Sequence, residues 1–408
     1  MKKLAMLVVG ILIIICPVWA QEMKLQHKPW HVLGFFDGEN AELERICEYN
    51  INQLEQIDSA YAKIVVAFDR TYKKSRDSSV RIYKIRYDTD ASNIISDSTS
   101  MGERDMGKVE VLDEFISEYI GDRNILVIKA HGYGIITPPN LKVGYNSHQD
   151  PFIIREVLQK RLNQPLEVMI FDSCNMATVE VAYEFKGLVS VMVASQDLMY
   201  YSMDIGREKP YSSRPGIDYI DLVLKLKPHL NPVTIGKDVV NSFINIVSKK
   251  DALYSKATIS ALDLNHLDIT AFKHIANELI HGIKNPETRN RYITALENTL
   301  EKAARYQPIG RNRILTYYDI EDFLNILEDN LNRSFERPVS CVIQSYSNTY
   351  VKKATGLSIF FLKDLSRIST ARKADLFDRY SRSIFARETG WDKLILTYHE
   401  HLADQQSD

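Results

Sequence analysis

Cysteine is scarce in this chain of 408 residues: four in all, Cys16, Cys47, Cys174 and Cys341. So sparse a set excludes the dense disulfide framework of a small secreted scaffold. No CxxC or HExxH spacing occurs, so the common zinc signatures are missing too. Charge of either sign is not in excess. Lys and Arg number 51 and Asp and Glu 53, and a formal net charge of −2 offers no global field for nucleic acid or an anionic membrane. Beyond residue 20 no apolar run is long enough to span a bilayer. Internal repeats and low-complexity tracts are absent, which argues against a solenoid or fibrous chain.

What is present suits a globular protein with a sizeable core, 45% hydrophobic and 25% charged. The length fits two or three domains, or one large α/β domain with an appendage. The first twenty residues stand apart. Lys2 and Lys3 precede an apolar stretch from Leu4 to Cys16, and Val18-Trp19-Ala20 puts small residues at the −3 and −1 positions of a cleavage site. Residues 1–20 therefore read as a secretory signal peptide, and the mature chain is expected to be exported, periplasmic or secreted. A lipoprotein acylated at Cys16 is the less favoured alternative, because Ile13 to Ile15 are bulky for a lipobox. Three cysteines then remain, an odd number that leaves at least one thiol to explain.

Strand and helix patterns alternate through the first two thirds of the chain. Trp30 to Phe36 reads as a strand, closed by Asp37-Gly38-Glu39-Asn40, and Leu43, Ile46, Cys47, Leu54 and Ile57 then recur at helical spacing. Cys47 on that apolar stripe is expected to be a packed core thiol. Ile64 to Phe68 and Val80 to Arg86 suggest a hairpin, the polar stretch from Asp88 to Lys108 a surface loop, and Val111 to Ile120 a helix. Asp150-Pro151 carries a cap and a first-turn proline for another helix. From about Pro232 helical patterns dominate, with β-like runs at Ala257 to Leu262 and Leu357 to Leu362. This order predicts a mainly parallel sheet with helices on both faces. Residues 21–262 would form the principal domain. Residues 263–408 would form a largely helical region, with a strand at about 357–362 returning to the sheet.

Two apolar runs end in reactive side chains. Ile125 to Ala130 runs into His131-Gly132, and Leu166 to Phe171 runs into Asp172-Ser173-Cys174. In open parallel sheets the reactive surface lies beyond the carboxyl ends of the strands. A thiol and an imidazole delivered there form a nucleophile and its base. The N–H groups of Gly132 and Cys174 are candidates for an oxyanion hole, and a following helix N-terminus would favour thiolate. Strand alternation puts Asp172 on the side of Cys174. A carboxylate there would select a cationic side chain, Arg before Lys, next to the scissile bond. Each residue alone is more often structural; it is the pairing at two strand ends that carries the reading.

The segment Phe171-Asp172-Ser173-Cys174-Asn175-Met176-Ala177-Thr178-Val179-Glu180-Val181-Ala182-Tyr183-Glu184 resembles the nucleophile motif of the clostripain family of cysteine peptidases, in the clan of caspases, legumains and gingipains. His131-Gly132 is similar to the clan's His-Gly motif. Trp30 to Leu33 with Asp37 to Asn40, Arg104 to Gly107, Thr355 to Phe361 and Thr389 to Asp392 resemble further family segments. The resemblance implies a caspase-like α/β three-layer sandwich, a Cys174/His131 dyad and a P1 pocket lined by Asp172, with Asp197 as a second candidate carboxylate. It also implies a zymogen that cuts itself after a basic residue between the catalytic strands, for which Lys142 is the candidate. Departures are Ser173 in place of a small Ala, Lys129 before Ala130-His131, and a less acidic Ala194-Ser195-Gln196-Asp197.

The expected function is an exported cysteine endopeptidase cleaving after Arg, less readily Lys, through an acyl-enzyme. Its partners would be protein or peptide substrates with a basic P1 residue, and a monomer is expected. No cofactor is required by this chemistry. Some relatives need calcium; no EF-hand-like loop appears here, and calcium held by scattered carboxylates stays open as an alternative without a supporting motif. The rival readings are a non-catalytic binding or surface-assembly protein of the same fold, and a hydrolase or transpeptidase with a narrow partner.

Overall fold

Runs rich in Val, Ile and Phe become strands because β-branched and aromatic side chains fit a pleated surface covered on both sides. The computed structural model describes residues 28–38, 41–70, 79–136, 150–199, 216–248, 256–307, 315–338, 340–351, 353–365 and 368–405. Its strands, in chain order, are β1 (Trp30–Asp37), β2 (Ala62–Asp69), β3 (Val80–Lys84), β4 (Ser98–Gly102), β5 (Asn124–Lys129) and β6 (Leu166–Asp172). They continue as β7 (Val189–Ala194), β8 (Thr258–Asp263), β9 (Arg305–Tyr306), β10 (Tyr317–Asp319), β11 (Val342–Ser347) and β12 (Ser358–Phe360). Nine form one sheet in the order β11-β8-β7-β6-β5-β1-β2-β3-β4. From β7 through β2 the neighbours are parallel. Only β3 and β8 run against the rest, so the sheet is mainly parallel, as the strand–helix alternation predicts.

Helices cover both faces. They are α1 (Ala41–Glu55), α2 (Val109–Tyr119), α3 (Pro151–Arg161), α4 (Val179–Glu184), α5 (Tyr219–Lys225) and α6 (Pro232–Ser248). The C-terminal set is α7 (Thr270–Lys284), α8 (Arg289–Lys302), α9 (Ile320–Leu331), α10 (Thr370–Ser381), α11 (Ile384–Thr389) and α12 (Trp391–Gln405). Side-chain alternation along each strand sorts them into layers. Val32, Ile125, Val127, Val168 and Ile170 pack beneath α1, α5 and α6, where Cys47 is wholly buried as expected. Leu33, Phe35, Leu126, Ile128, Met169 and Phe171 pack on the opposite face against α2, α3, α4 and the C-terminal helices. The result is a three-layer α/β sandwich. Asp150 caps α3 by accepting the Phe152 N–H at 2.9 Å, with Pro151 in the first turn.

Three expectations need correction. The polar stretch from Asp88 to Lys108 contains an edge strand, β4, paired antiparallel to β3. Its Ser-Thr-Ser-Met-Gly sequence is largely exposed, so it has no buried face to impose an apolar pattern. The run at 357–362 does not return to the large sheet. Its strand β12 joins β10 and β9 in a separate three-stranded sheet. The C-terminal region instead sends β11 to pair with β8 at the edge of the large sheet. The 262/263 boundary is therefore crossed by sheet pairing and by a hydrophobic core containing residues from both sides of it.

Candidate active site

β5 and β6 are adjacent and parallel, and their register sets Lys129 beside Asp172. The chain leaves both strands at the same edge, so the segments 130–134 and 173–178 run side by side. Ser173 ties them: its Oγ accepts the Ala130 N–H at 3.3 Å and lies 3.5 Å from the Ile128 carbonyl. Gly132 is pressed against the nucleophile turn. A Cβ at that position would lie 2.0 Å from the Cys174 carbonyl oxygen and 2.9 Å from its nitrogen, an approach open only to glycine. His131 is thus one residue from a direct backbone contact with Cys174. It is exposed, and Cys174 is partly exposed. The structure brings His131, Gly132, Asp172 and Cys174 to one sheet edge.

The turn after Cys174 is held by the loop after β7. Asn175 adopts a left-handed φ of 54°, its N–H donates to the Asp197 carbonyl at 3.0 Å, and its Nδ2 donates to the Gln196 carbonyl at 3.0 Å. The Ala177 N–H donates to the Ser195 carbonyl at 2.9 Å. On the histidine side, Tyr317 of β10 donates its hydroxyl to the Tyr133 carbonyl. Gly134 has φ 70°, and a Cβ there would sit 2.3 Å from that hydroxyl oxygen. Tyr317 was missed from sequence, because nothing local marks a tyrosine 184 residues away as a brace.

The Cys174 thiol differs from expectation. Helix α4 begins only at Val179, five residues after Cys174, and has six residues, so the thiol is not at its N-terminus as expected. Burial pushes the pKa up to about 12; Asp197 and Asp172 add to the rise, while the Met199 N–H, 3.2 Å from Sγ, opposes it. A pKa raised by burial favours the neutral thiol, the opposite of the helix-stabilised thiolate expected from sequence.

The two carboxylates expected to line P1 each face a lysine. Asp172 is wholly buried, and Lys129 Nζ donates to its Oδ2 at 2.5 Å with no exposure of either side chain. The Tyr219 hydroxyl donates to the same oxygen at 2.7 Å. Asp197 is 1% exposed and faces Lys256 Nζ at 3.4 Å; burial raises its pKa and Lys256 opposes the rise. Sequence reasoning noted Lys129 as a departure but not as a partner of Asp172. Lys142 lies outside the described residues. Among the described residues no group of three His, Cys, Asp or Glu side chains is placed to hold a metal ion.

The clostripain-family model matches residues 35–398. This chain belongs to the clostripain family. It is accordingly a cysteine peptidase, a hydrolase. Clostripain of Hathewaya histolytica is 22% identical over 384 residues, covering 78% of this chain and 73% of that relative. Among solved structures, an inactive zymogen C11 protease of Parabacteroides distasonis is similar with TM-score 0.58 at 16% identity, over 89% of this chain and 98% of the other. A secreted C11 cysteine protease of Bacteroides thetaiotaomicron, solved with an irreversible peptide inhibitor, gives 0.55 at 16% identity, over 90% and 100%. At such identities the structural likeness establishes the shared fold.

Proposed function

We propose that this clostripain-family peptidase is an exported endopeptidase using Cys174 as nucleophile and His131 as its base. The observation that carries the reading is the contact of the Gly132 backbone with the Cys174 backbone, which sets the histidine turn directly on the nucleophile turn. His131 takes the thiol proton as Sγ attacks the scissile carbonyl. The developing oxyanion is received by the N–H groups of Gly132 and Cys174, a contribution of about 2.7–4 kcal/mol per donor. Collapse breaks the C–N bond, and His131 returns the proton to the departing amine. Water, deprotonated by His131, then cleaves the thioester and releases the acid and the free thiol.

Export is supported by the leader pattern of residues 1–20 and by the neighbour described as secreted. Activation by a cut in the loop after His131 is supported by the neighbour described as an inactive zymogen. The expectation of Arg, less readily Lys, at P1 drew on a free carboxylate at Asp172. A preference for Arg, less readily Lys, at P1 fits membership of the clostripain family; in this structure Asp172, the carboxylate expected to provide it, already faces Lys129.

The test is peptide turnover by the mature chain and by Cys174→Ala and His131→Ala variants. Cys174→Ala should be inactive, and His131→Ala should lose about 100- to 10,000-fold in kcat/KM. Undiminished turnover by Cys174→Ala would remove the assignment. N-terminal sequencing of fragments formed by wild type, but not by Cys174→Ala, would locate any self-cleavage.

A further inference from the structure

Two side chains of the three-residue strand β10 reach the two turns of the site, one each. Tyr317 and Asp319 are two residues apart and so share one face of the strand. The Tyr317 hydroxyl donates to the Tyr133 carbonyl, and the N–H groups of Ile135 and Ile136 face the same oxygen. Asp319 Oδ2 accepts Gln196 Nε2 at 3.0 Å, and the Gln196 carbonyl accepts Asn175 Nδ2 at 3.0 Å. Neighbouring β12 holds the nucleophile side directly: the Ser358 N–H and hydroxyl both donate to the Ala177 carbonyl at 3.0 Å.

Tyr317 is itself fixed in place. It is wholly buried, pairs with Tyr306 and Phe360 across the small sheet, and its ring centroid lies 5.6 Å from that of Phe360. Its bond ties the backbone two residues past His131 to the strand that holds Asn175 through Gln196. A base displaced by about 1 Å costs about 100-fold in rate, so whatever sets the histidine turn against the thiol acts on the chemical step.

We propose that Tyr317 is the positioning residue for His131: its hydroxyl fixes the histidine turn to the strand from which the Cys174 turn is also held. The C-terminal region thereby enters the reaction without touching substrate. This rests on the reading of His131 as base to Cys174.

The test is steady-state turnover by the full chain of fluorogenic peptides carrying Arg, Lys, Gln or Met at P1, using whichever wild type cleaves. Tyr317→Phe removes the hydroxyl and keeps the ring. Its kcat should fall about 10- to 100-fold with KM within about twofold of wild type. Tyr318→Phe is the matched control. Tyr318 is the next residue of the strand, equally buried, and its hydroxyl has no hydrogen-bond partner among the described residues. That variant should keep the wild-type kcat. In a His131→Ala background Tyr317→Phe should cost nothing further, whereas an independent structural defect would multiply the loss. Amide hydrogen exchange at residues 133–136 should quicken in Tyr317→Phe while that of β6 stays as in wild type.

Gly134→Ala pushes the same backbone off the hydroxyl without altering the core strand, and should reproduce the fall in kcat at constant KM. It decides the matter should Tyr317→Phe fail to fold. Wild-type kcat in the folded variants, or an equal further loss in the His131→Ala background, would overturn the proposal. Turnover that survives His131→Ala, or none by wild type even after limited tryptic nicking, removes the reading of His131 as base and this role with it. Turnover that needs His131 yet ignores both Tyr317→Phe and Gly134→Ala removes this role alone.

Discussion

The Ser173 hydroxyl accepts the Ala130 N–H at 3.3 Å, so the residue before Cys174 holds the residue before His131. A small apolar residue at 173 would leave that N–H buried and unpaired. Ser173→Ala should therefore cost about 1–3 kcal/mol of stability. Because the bond positions the two turns without touching substrate, kcat should fall several-fold with KM little changed. Urea denaturation and steady-state kinetics on one preparation check both.

Gly132→Ala tests how close the two turns must be. The new Cβ would meet the Cys174 carbonyl oxygen at 2.0 Å, a distance only backbone movement relieves. Separating the turns takes the Gly132 and Cys174 N–H groups, proposed above as the oxyanion donors, out of alignment. Loss of about 100-fold or more in kcat/KM is expected, with circular dichroism confirming that the sheet persists.

The state of the Cys174 thiol is open to measurement by alkylation. Its pKa is raised to about 12 by burial, so the thiolate fraction, and the iodoacetamide rate with it, should climb about tenfold per pH unit between pH 6 and 9 without levelling. Cys47 and Cys341 are buried, at 0% and 1% exposure, and burial raises both their pKa values, so they do not compete. A plateau below pH 8, abolished in His131→Ala, would reveal a preformed thiolate–imidazolium pair instead.

Much of this site was legible in the sequence because strand ends are local signals. Val and Ile runs locate β5 and β6, and whatever follows them must emerge at the sheet edge. The apolar stripe that buries Cys47 and the Asp150-Pro151 helix start are local in the same way. Lys129 was different. Its meaning depends on register against a strand 43 residues away, and an apolar run ending in lysine does not state what that lysine meets. Tyr219 and Tyr317 reach the site from elements whose own patterns fix only their burial. Edge strands β4 and β11 were missed because a half-exposed strand carries no apolar signature.

Glu180 gives a prediction about pH. It follows the nucleophile turn on α4, where its Oε1 accepts the Phe360 N–H of β12 at 2.8 Å and the Tyr380 hydroxyl of α10 at 3.0 Å. Burial raises its pKa from 4.5 to about 7, against which these donors act. A carboxyl whose folded pKa lies above its unfolded value binds its proton more tightly when folded. Its contribution to stability is therefore complete below about pH 4.5 and is lost as pH rises through about 7, at no more than about 1.4 kcal/mol per unit. Glu180→Gln holds a neutral group of similar shape in place at every pH. Its Tm should match wild type near pH 4.5 and exceed it above pH 7, flattening the alkaline side of the stability profile. Calorimetric scans of both proteins from pH 4 to 8.5 check this; parallel profiles would mean that Glu180 is ionised throughout and that its two hydrogen bonds outweigh its burial.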